Sequence, residues 1–520
     1  MSTTSISNTQ AAIPFPAAPQ PIEDAQALVK LLTDNCELLR HSGVSVLEYV
    51  EQLSYLLFLK MVQERKTRRI NKLVIRDDGY DWASLVALRG TAMMDRYTEI
   101  LNGLAGMPGM FGAIFEGARS KIAEPAALDR LVRDVLDKHQ WSMTNTDVKG
   151  DAYEGLLKWG AEDRKTGAGQ YFTPRPVIDA MVECVRPKPG EKITDPACGT
   201  GGFLIAAADY IERHHGSSMS AEQWTKLRSG DIEGVELVRD TARLALMNML
   251  LHNVGLPNGE SLIDVRDSLA KTPAKHYDIV LANPPFGVGT ISGANYSESR
   301  QDLWTATTNK QLNFLQHIFT VLKTNGRAAV VLPDNVLFEG GAGSRIRTQL
   351  LQTCDVHTML RLPTGIFYAG GVKANVLFFD KRKPKPDGAP ATTQLWVYDL
   401  RTNVHVTQKR NPLRREHLDD FVSCYLAGKS RKERVESERF KVYDYAELIA
   451  RDGVNLDLTF LKDDSLAEVD SLPEPEVLVQ EIISDLQSAL AEFQAIGEAL
   501  GLSPDEFAGD VAEMPGEALY

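Results

Sequence analysis

A glycine-rich turn between a short apolar strand and a helix is the feature that most constrains the fold of this chain. The segment KITDPACGTGGF contains Asp195, Thr200, Gly201 and Gly202, and a helical pattern follows over residues 204–212. Strand, glycine turn and helix in this order form the first unit of a doubly wound sheet, in which the glycines let the backbone approach a ligand closely. We therefore predict an α/β, Rossmann-like sheet with a ligand at this turn.

The turn alone does not identify its ligand, because dinucleotide and phosphate loops share the glycine pattern. The chain has no GxxxxGK[ST] segment, which argues against an NTPase. Asp195 stands at the strand end, where a carboxylate repels a pyrophosphate but suits a cationic ligand. A second strand ends in Glu236, which could bind ribose hydroxyls, and a third ends near Asp267. This set fits a methyl donor with a sulfonium charge, an adenosine and an amino-acid tail.

A second motif follows the apolar run 279–282 and consists of Asn283, Pro284, Pro285 and Phe286. An apolar run broken by two prolines predicts a buried parallel strand that ends abruptly, and open α/β sheets place their chemistry at that end. The Asn283 oxygen and a backbone carbonyl of the turn can each accept one proton of an exocyclic amine.

Phe286 would then supply a stacking face for a flat base. Such a pocket reaches the amine only when the base has left its helix. Taken alone, the four residues also fit an ordinary strand-to-loop turn.

A compact loop at residues 167–176 precedes another helix. We predict Thr173 as its N-cap and Pro174 as its first helical residue. The backbone N–H groups at this helix start, together with the Arg175 side chain, could bind the carboxylate of the cofactor. A capped helix start with no ligand is the plain alternative.

Composition shifts divide the chain into five parts. We predict a disordered lead-in over 1–21, a helical domain over 22–160, a catalytic domain over 161–404, a charged connecting region over 405–470 and a helical tail over 471–520.

Three stretches suggest surface roles. The polar stretch 287–310 predicts a loop beside the pocket. Basic runs within 405–440 are typical of solvated surface and are also the best local candidates for phosphate contacts. The tail has apolar residues at 3-4 spacing from Val479 to Leu500, which fits packing on its own domain or docking to a partner helix.

The net charge of −13 limits how this chain could hold nucleic acid. Proteins that bind nucleic acid without a partner usually carry a net positive charge, because neutralisation of the phosphates supplies most of the non-specific affinity. A nucleic-acid substrate would therefore require a local basic face or a separate partner. The start of the chain lacks the basic-then-apolar order of a signal peptide, so we expect a cytoplasmic protein. The five cysteines include no CxxC pair, so we expect no zinc site.

Taken together, these motifs resemble the modification subunit of type I restriction-modification enzymes, a family of adenine-N6 DNA methyltransferases. The resemblance rests on GAGQYFTPRP, DPACGTGGF, GVELV, ANPPF, RAAVVLPDNVLFEGG and LRLPTGIFYAGGVKANVLFF, in the family's order. It extends over nearly the whole chain from about residue 25.

The resemblance implies direct transfer of a methyl group from S-adenosyl-L-methionine to N6 of a flipped adenine in DNA. It places that adenine at Asn283, Pro284, Pro285 and Phe286, with no metal. The implied cofactor-binding residues are Gln170, Tyr171, Phe172, Thr173, Pro174, Arg175, Asp195, Thr200, Gly201, Gly202, Glu236 and Asp267. The implied partners are DNA, a specificity subunit, a second copy of the modification subunit and, in the full complex, a restriction subunit.

Two other functions remain open at this point. RNA or protein-glutamine methyltransferases also present an amine or amide to an Asn-Pro-Pro turn, although the large flanking regions favour DNA. The second alternative is a non-catalytic scaffold that only binds its restriction partners. The presence of Asn283, Phe286 and the glycines of the turn argues against it.

Overall fold

A nine-stranded mixed sheet forms the centre of the protein. The computed structural model describes residues 20–21, 25–35, 46–67, 80–141, 155, 173–286, 300–367, 372–407, 411–428 and 430–462. A short parallel pair, β1 (Gln20–Pro21) and β2 (His139–Gln140), lies apart from this sheet. The sheet strands are β3 (Ile193–Asp195), β4 (Ile232–Glu236), β5 (Ile263–Val265), β6 (Tyr277–Ala282), β7 (Leu322–Pro333), β8 (Cys354–Arg361), β9 (Ala374–Lys381), β10 (Gln394–Asp399) and β11 (Phe440–Asp444). Their spatial order is β11-β10-β8-β9-β7-β6-β3-β4-β5.

Both faces of the sheet are buried, which explains why its central strands are continuously apolar. Along β6, Ile279 and Leu281 pack into one hydrophobic cluster, whereas Val280 and Ala282 pack into another on the opposite face. A strand covered on both faces has no polar side, so its sequence does not alternate. The predicted α/β, doubly wound sheet is therefore confirmed.

Helices cover these faces. The helices of the catalytic region span Arg175–Val185, Gly202–His215, Ala221–Ser229, Arg239–Leu251, Lys310–Val321, Asn335–Phe338, Ala342–Thr353, Asp419–Leu426 and Tyr445–Ala450. Gly201 precedes one of them with a φ of 84°, a left-handed conformation that glycine adopts without steric cost. This conformation lets the chain turn sharply from β3 into the helix Gly202–His215.

The N-terminal part is helical, as its sequence predicts. Its helices span Ala25–Asp34, Val46–Thr67, Trp82–Val86, Gly90–Ala105, Gly109–Phe115 and Pro125–Arg130, and a π-helical turn follows over Leu131–Leu136. Arg243, on the helix Arg239–Leu251, donates to the Glu51 carboxylate and, at 2.7 Å, to the carbonyl of Glu116. These bonds join the N-terminal helices to a helix of the sheet.

The predicted end of the catalytic domain at residue 404 is too early. β11, within the region predicted to be a charged connector, pairs antiparallel with β10 and closes one edge of the sheet. Phe440 is buried against Trp396, with ring centroids 4.8 Å apart. A short strand with one large apolar anchor is hard to recognise inside a charged run. Contacts separate residues 1–461 from 462–520 as two units, and the predicted tail lies outside the described residues.

Candidate active site

The sheet changes direction between β3 and β6, and the two motifs predicted from sequence meet there. The chain leaves β3 towards β4 and β5 on one side and returns to β6 on the other. β3 and β6 pair in parallel, with Ile193 opposite Ile279 and Thr194 opposite Val280. Their carboxyl ends therefore lie side by side, and open α/β sheets bind ligands at such a switch point. The glycine turn follows one strand, and Asn283 follows the other.

Asn283 is held in the floor of this crevice. Its side chain is buried, and its Nδ2 donates to the hydroxyl Oγ1 of Thr173 at 2.9 Å. Because the amide nitrogen faces Thr173, the amide oxygen faces away from it. Pro284 is also buried, whereas Pro285 and Phe286 are half-buried. The predicted base-holding residues are thus contiguous at the strand end.

The helix predicted after residue 173 is present but starts one residue later than expected. It begins at Arg175, with Pro174 at the N-cap position, so the predicted cap at Thr173 is wrong. The Thr173 side chain binds Asn283 instead of the helix start. The Arg175 guanidinium lies 2.9 Å from Asp179 and 3.4 Å from Asp209. Gln170, Tyr171 and Phe172 lie outside the described residues.

The glycine turn is fixed by bonds to its neighbours in the sheet. The amide of Cys198 donates to the carbonyl of Val235 at 2.9 Å, and the amide of Gly199 donates to Oε2 of Glu236 at 3.0 Å. The carbonyl of Thr200 accepts a hydrogen bond from Nδ2 of Asn248 at 3.0 Å. A Cβ built on Gly199 would meet nothing within 4 Å, so the backbone there borders open space.

Two carboxyl groups flank the turn, of which Asp195 is buried and Glu236 is half-buried. Burial raises the pKa of Asp195 to about 8, with a smaller contribution from the charge of Glu236; the hydrogen bond from the amide of Ala197, at 2.9 Å, acts in the opposite direction. Burial also raises the pKa of Glu236. The other Glu236 oxygen, Oε1, accepts from the amide of Val238 at 2.9 Å. Each carboxylate oxygen has a second lone-pair site, so Glu236 can still accept from a ligand hydroxyl.

The Asp267 segment is tied to the same turn. Ser268 donates through its hydroxyl to the carbonyl of Pro196 at 2.5 Å, and Oδ1 of Asp267 accepts from the amide of Leu269 at 2.8 Å. Within the described residues, no group of three or more His, Cys, Asp or Glu side chains is arranged to hold a metal ion.

Sequence reasoning missed two residues beside the predicted ones. Asn248 is fully buried in an apolar helix, and its sequence neighbours Met247 and Met249 are core residues, so no local signal marks it. Phe367 lies in the segment LPTGIF, whose sequence fits a strand-to-loop element on the same rim and a plain turn equally well. Its ring faces Phe286 edge-on, with centroids 5.9 Å apart.

Two arginines of the basic run near residue 430 bind protein groups. Arg431 forms ion pairs with Asp355 and Asp380, and Arg434 donates to the hydroxyl of Thr358 and the carbonyl of Tyr425. Asp355 lies near the beginning of β8, at the end of the sheet opposite the crevice. These two arginines stabilise the fold, so any phosphate contacts of this run would fall to its other basic residues.

Comparisons with known proteins agree with this geometry. Residues 144–459 match the N-6 DNA Methylase family, and residues 28–135 match the HsdM N-terminal domain. The chain is 38% identical over 534 residues to the type I restriction enzyme StySPI methylase subunit of Salmonella potsdam, covering 95% of this chain and 97% of that protein. It is 38% identical over 522 residues to the EcoKI methylase subunit of Escherichia coli (strain K12), covering 92% and 96%.

Solved structures show the same relationship. The crystal structure of the EcoKI M protein matches with a TM-score of 0.51 and 34% identity, over 92% of this chain and 97% of that chain. A modification subunit from Vibrio vulnificus YJ016 matches with a TM-score of 0.71 and 25% identity, over 88% of this chain and 100% of that chain. Among the described residues, no helix is both long and apolar enough to span a membrane.

Proposed function

The chain belongs to the N-6 DNA Methylase family, and from that membership we propose that it transfers a methyl group from S-adenosyl-L-methionine to N6 of adenine in DNA. The observation that carries the proposal is the pairing of β3 with β6. This pairing puts the glycine turn and Asn283 on adjacent strand ends. A methyl donor and a target base would then meet at one edge of the sheet.

Three features of the crevice support S-adenosyl-L-methionine as the cofactor. The backbone at Gly199 borders open space, Asp195 offers a carboxyl group to a cation, and Glu236 retains acceptor sites for ribose hydroxyls. Asp267 and Gly202 lie on the same rim. When bound, the cofactor would supply an electrophilic methyl group.

The residues after β6 would position the target amine. The Asn283 oxygen, which faces away from Thr173, would accept one amine proton, and the carbonyl of Pro284 would accept the other. These bonds polarise the N–H bonds, which raises the electron density on the amine nitrogen and aims its lone pair at the methyl group. The N–C bond would form as the S–C bond breaks, and one amine proton would then be lost to water. Phe286 would stack on the base. The contribution of these residues is orientation and electrostatic stabilisation, without a covalent nucleophile.

The acidic chain would bind DNA through partners. The net charge is −13, and the described arginines Arg431 and Arg434 already bind protein groups. The related proteins are named as subunits of type I restriction enzymes. We therefore propose that a specificity subunit selects the DNA sequence, that two copies of this chain join it, and that a restriction subunit completes the larger complex. The tail 471–520 is the proposed docking part.

The test is methylation by this chain assembled with its specificity subunit. Labelled S-adenosyl-L-methionine should place label on adenine N6 in DNA and leave ribosomal RNA and protein unlabelled. Asn283→Ala should abolish the transfer while the cofactor Kd changes less than about threefold. Asn325→Gly is the matched control, because Asn325 is exposed near the start of β7 with a φ of 67° that glycine tolerates. Label in RNA or in protein glutamine, or equal turnover by Asn283→Ala, would refute the proposal.

A further inference from the structure

The hydrogen bond between Thr173 and Asn283 links the two halves of the crevice. Thr173 is 6% exposed and Asn283 is 8% exposed, and the donor-acceptor distance is 2.9 Å. The two residues are 110 positions apart in the sequence. Since water has little access to either side chain, the bond is protected from competition and its loss would leave a buried amide donor unsatisfied.

The backbone that carries Thr173 is fixed by contacts of the helix that follows it. It precedes the helix Arg175–Val185, whose first residue reaches Asp209 on the next helix at 3.4 Å. At the other helix end, Nε of Arg327 donates to the carbonyl of Val185 at 2.8 Å. The helix also packs tightly on the glycine turn, because a Cβ built on Gly202 would lie 3.1 Å from Cδ1 of Ile178. The hydroxyl is therefore presented from a backbone fixed at both ends.

The carboxamide of Asn283 needs such a partner because its two ends have opposite chemistry. Its oxygen accepts hydrogen bonds, and its NH2 group donates them. An adenine amine is itself a donor, so it is bound only when the oxygen points towards it. Rotation of the carboxamide by half a turn would bring two donors face to face. Thr173 accepts from the NH2 group and so directs the oxygen to the other side.

We infer that Thr173 is a positioning residue for the methyl-transfer step, acting through the carboxamide of Asn283. The inference rests on the proposed function. It predicts that loss of the Thr173 hydroxyl slows the chemical step while cofactor binding is retained. It also explains why a threonine at a helix start does not cap that helix.

The experiment compares Thr173→Val with Thr173→Ser in the complete complex. Valine has the shape of threonine without the hydroxyl, and serine keeps the hydroxyl. We expect Thr173→Val to slow single-turnover adenine methylation about 10- to 100-fold, with the cofactor Kd within about threefold of wild type. Thr173→Ser should stay within about threefold on both measures. Should the valine variant fail to fold, Thr173→Ala against Thr173→Ser provides the same comparison.

Each outcome has one interpretation. A wild-type rate in Thr173→Val, or a loss of cofactor affinity that accounts for the whole loss of rate, would overturn the inference. Equal slowing by Thr173→Ser would also overturn it, because the hydroxyl would then not be the important group. If the wild-type complex itself does not methylate adenine, the proposed function fails instead, so the two failures are distinguishable.

Discussion

The rings of Phe286 and Phe367 lie 5.9 Å apart, with their planes inclined at 67°. Phe286 belongs to the Asn-Pro-Pro-Phe turn after β6, and Phe367 belongs to the loop after β8. Edge-to-face contact of this kind favours one orientation of each ring. Contact with Phe367 therefore restricts the orientation of the Phe286 ring, which would stack on the target base.

Phe286→Ala should lower kcat/KM for DNA about 10- to 100-fold, because stacking of a base on an aromatic ring is worth about 1–3 kcal/mol. Phe286→Tyr keeps the ring and is the matched control, with an expected loss below about threefold. Steady-state methylation of an oligonucleotide containing the recognised site measures both. Full activity in the alanine variant would remove Phe286 from the pocket.

Asn248→Leu should weaken cofactor binding about 5- to 20-fold, because the Thr200 carbonyl loses a buried hydrogen bond that fixes the glycine turn. The rate at saturating cofactor should change less than about threefold. Asn313→Leu is the control, since Asn313 is an equally buried asparagine that bonds the carbonyl of Thr307 at 2.8 Å. Titration calorimetry measures the affinities. If both variants bind equally well, Asn248 does not support the turn.

Arg401 anchors the segment that leads to Phe367. It forms a two-pronged ion pair with Asp334, at 2.7 and 2.9 Å, and its Nε donates to the carbonyl of Leu362 at 2.9 Å. Burial alone would raise the pKa of Asp334, but the hydrogen bonds and charge of Arg401 outweigh it and lower that pKa. This contribution to stability is present above the ordinary carboxyl pKa of 3.8 and is lost as the pH falls through the lower, folded value.

Arg401→Met should therefore reduce the free energy of unfolding by about 2–3 kcal/mol, less than for a fully buried pair because both side chains keep some exposure. Arg382→Met is the control, since the Arg382 side chain is 40% exposed and its pair with Asp380 is worth about 1 kcal/mol or less. Chemical denaturation of both variants at neutral pH measures the difference. Equal stability of the two would contradict a structural role for Arg401.

Local patterns in the sequence predicted the elements that create the crevice. Strand, glycine turn and helix near Gly201 placed the first half, and the proline-terminated apolar run before Asn283 placed the second. Both depend on backbone rules that act over a few residues, namely positive φ at glycine and the missing amide of proline. For that reason, the amino-acid sequence alone was enough to predict the strands of the crevice, whereas the roles of the candidate site residues stay predictions.

Contacts between distant residues were not predictable in the same way. Threonine often caps helices, but the hydroxyl of Thr173 binds Asn283 instead. Only the packing of the helix Arg175–Val185 against the sheet brings these two residues together. Arg401 reaches Asp334 across 67 positions, and β11 is identified by its pairing with β10 rather than by its own charged sequence. Tertiary packing overrode local preference at each of these positions.

Cofactor affinity should rise with pH in a way that depends on Asp195. Burial raises the pKa of this carboxyl to about 8, so the free protein carries it protonated at neutral pH. A cationic ligand favours the ionised form, and binding below pH 8 should therefore release a proton. We expect the cofactor Kd to decrease from pH 6.5 to pH 8.5, by at most about tenfold per pH unit, and to level off above that range.

Asp195→Asn is the control, because the cofactor's own amino group titrates identically in both proteins and the difference between them isolates Asp195. Calorimetry in two buffers of different ionisation enthalpy counts the released protons, and that count should fall in the variant. The folded state also binds this proton more tightly than the unfolded state, so wild-type stability declines as pH rises from about 4 to about 8. Asp195→Asn should therefore melt higher than wild type at pH 8.5, with the gap closing towards pH 4. A gap that is constant with pH, together with equal proton release, would show that Asp195 is already ionised in the free protein.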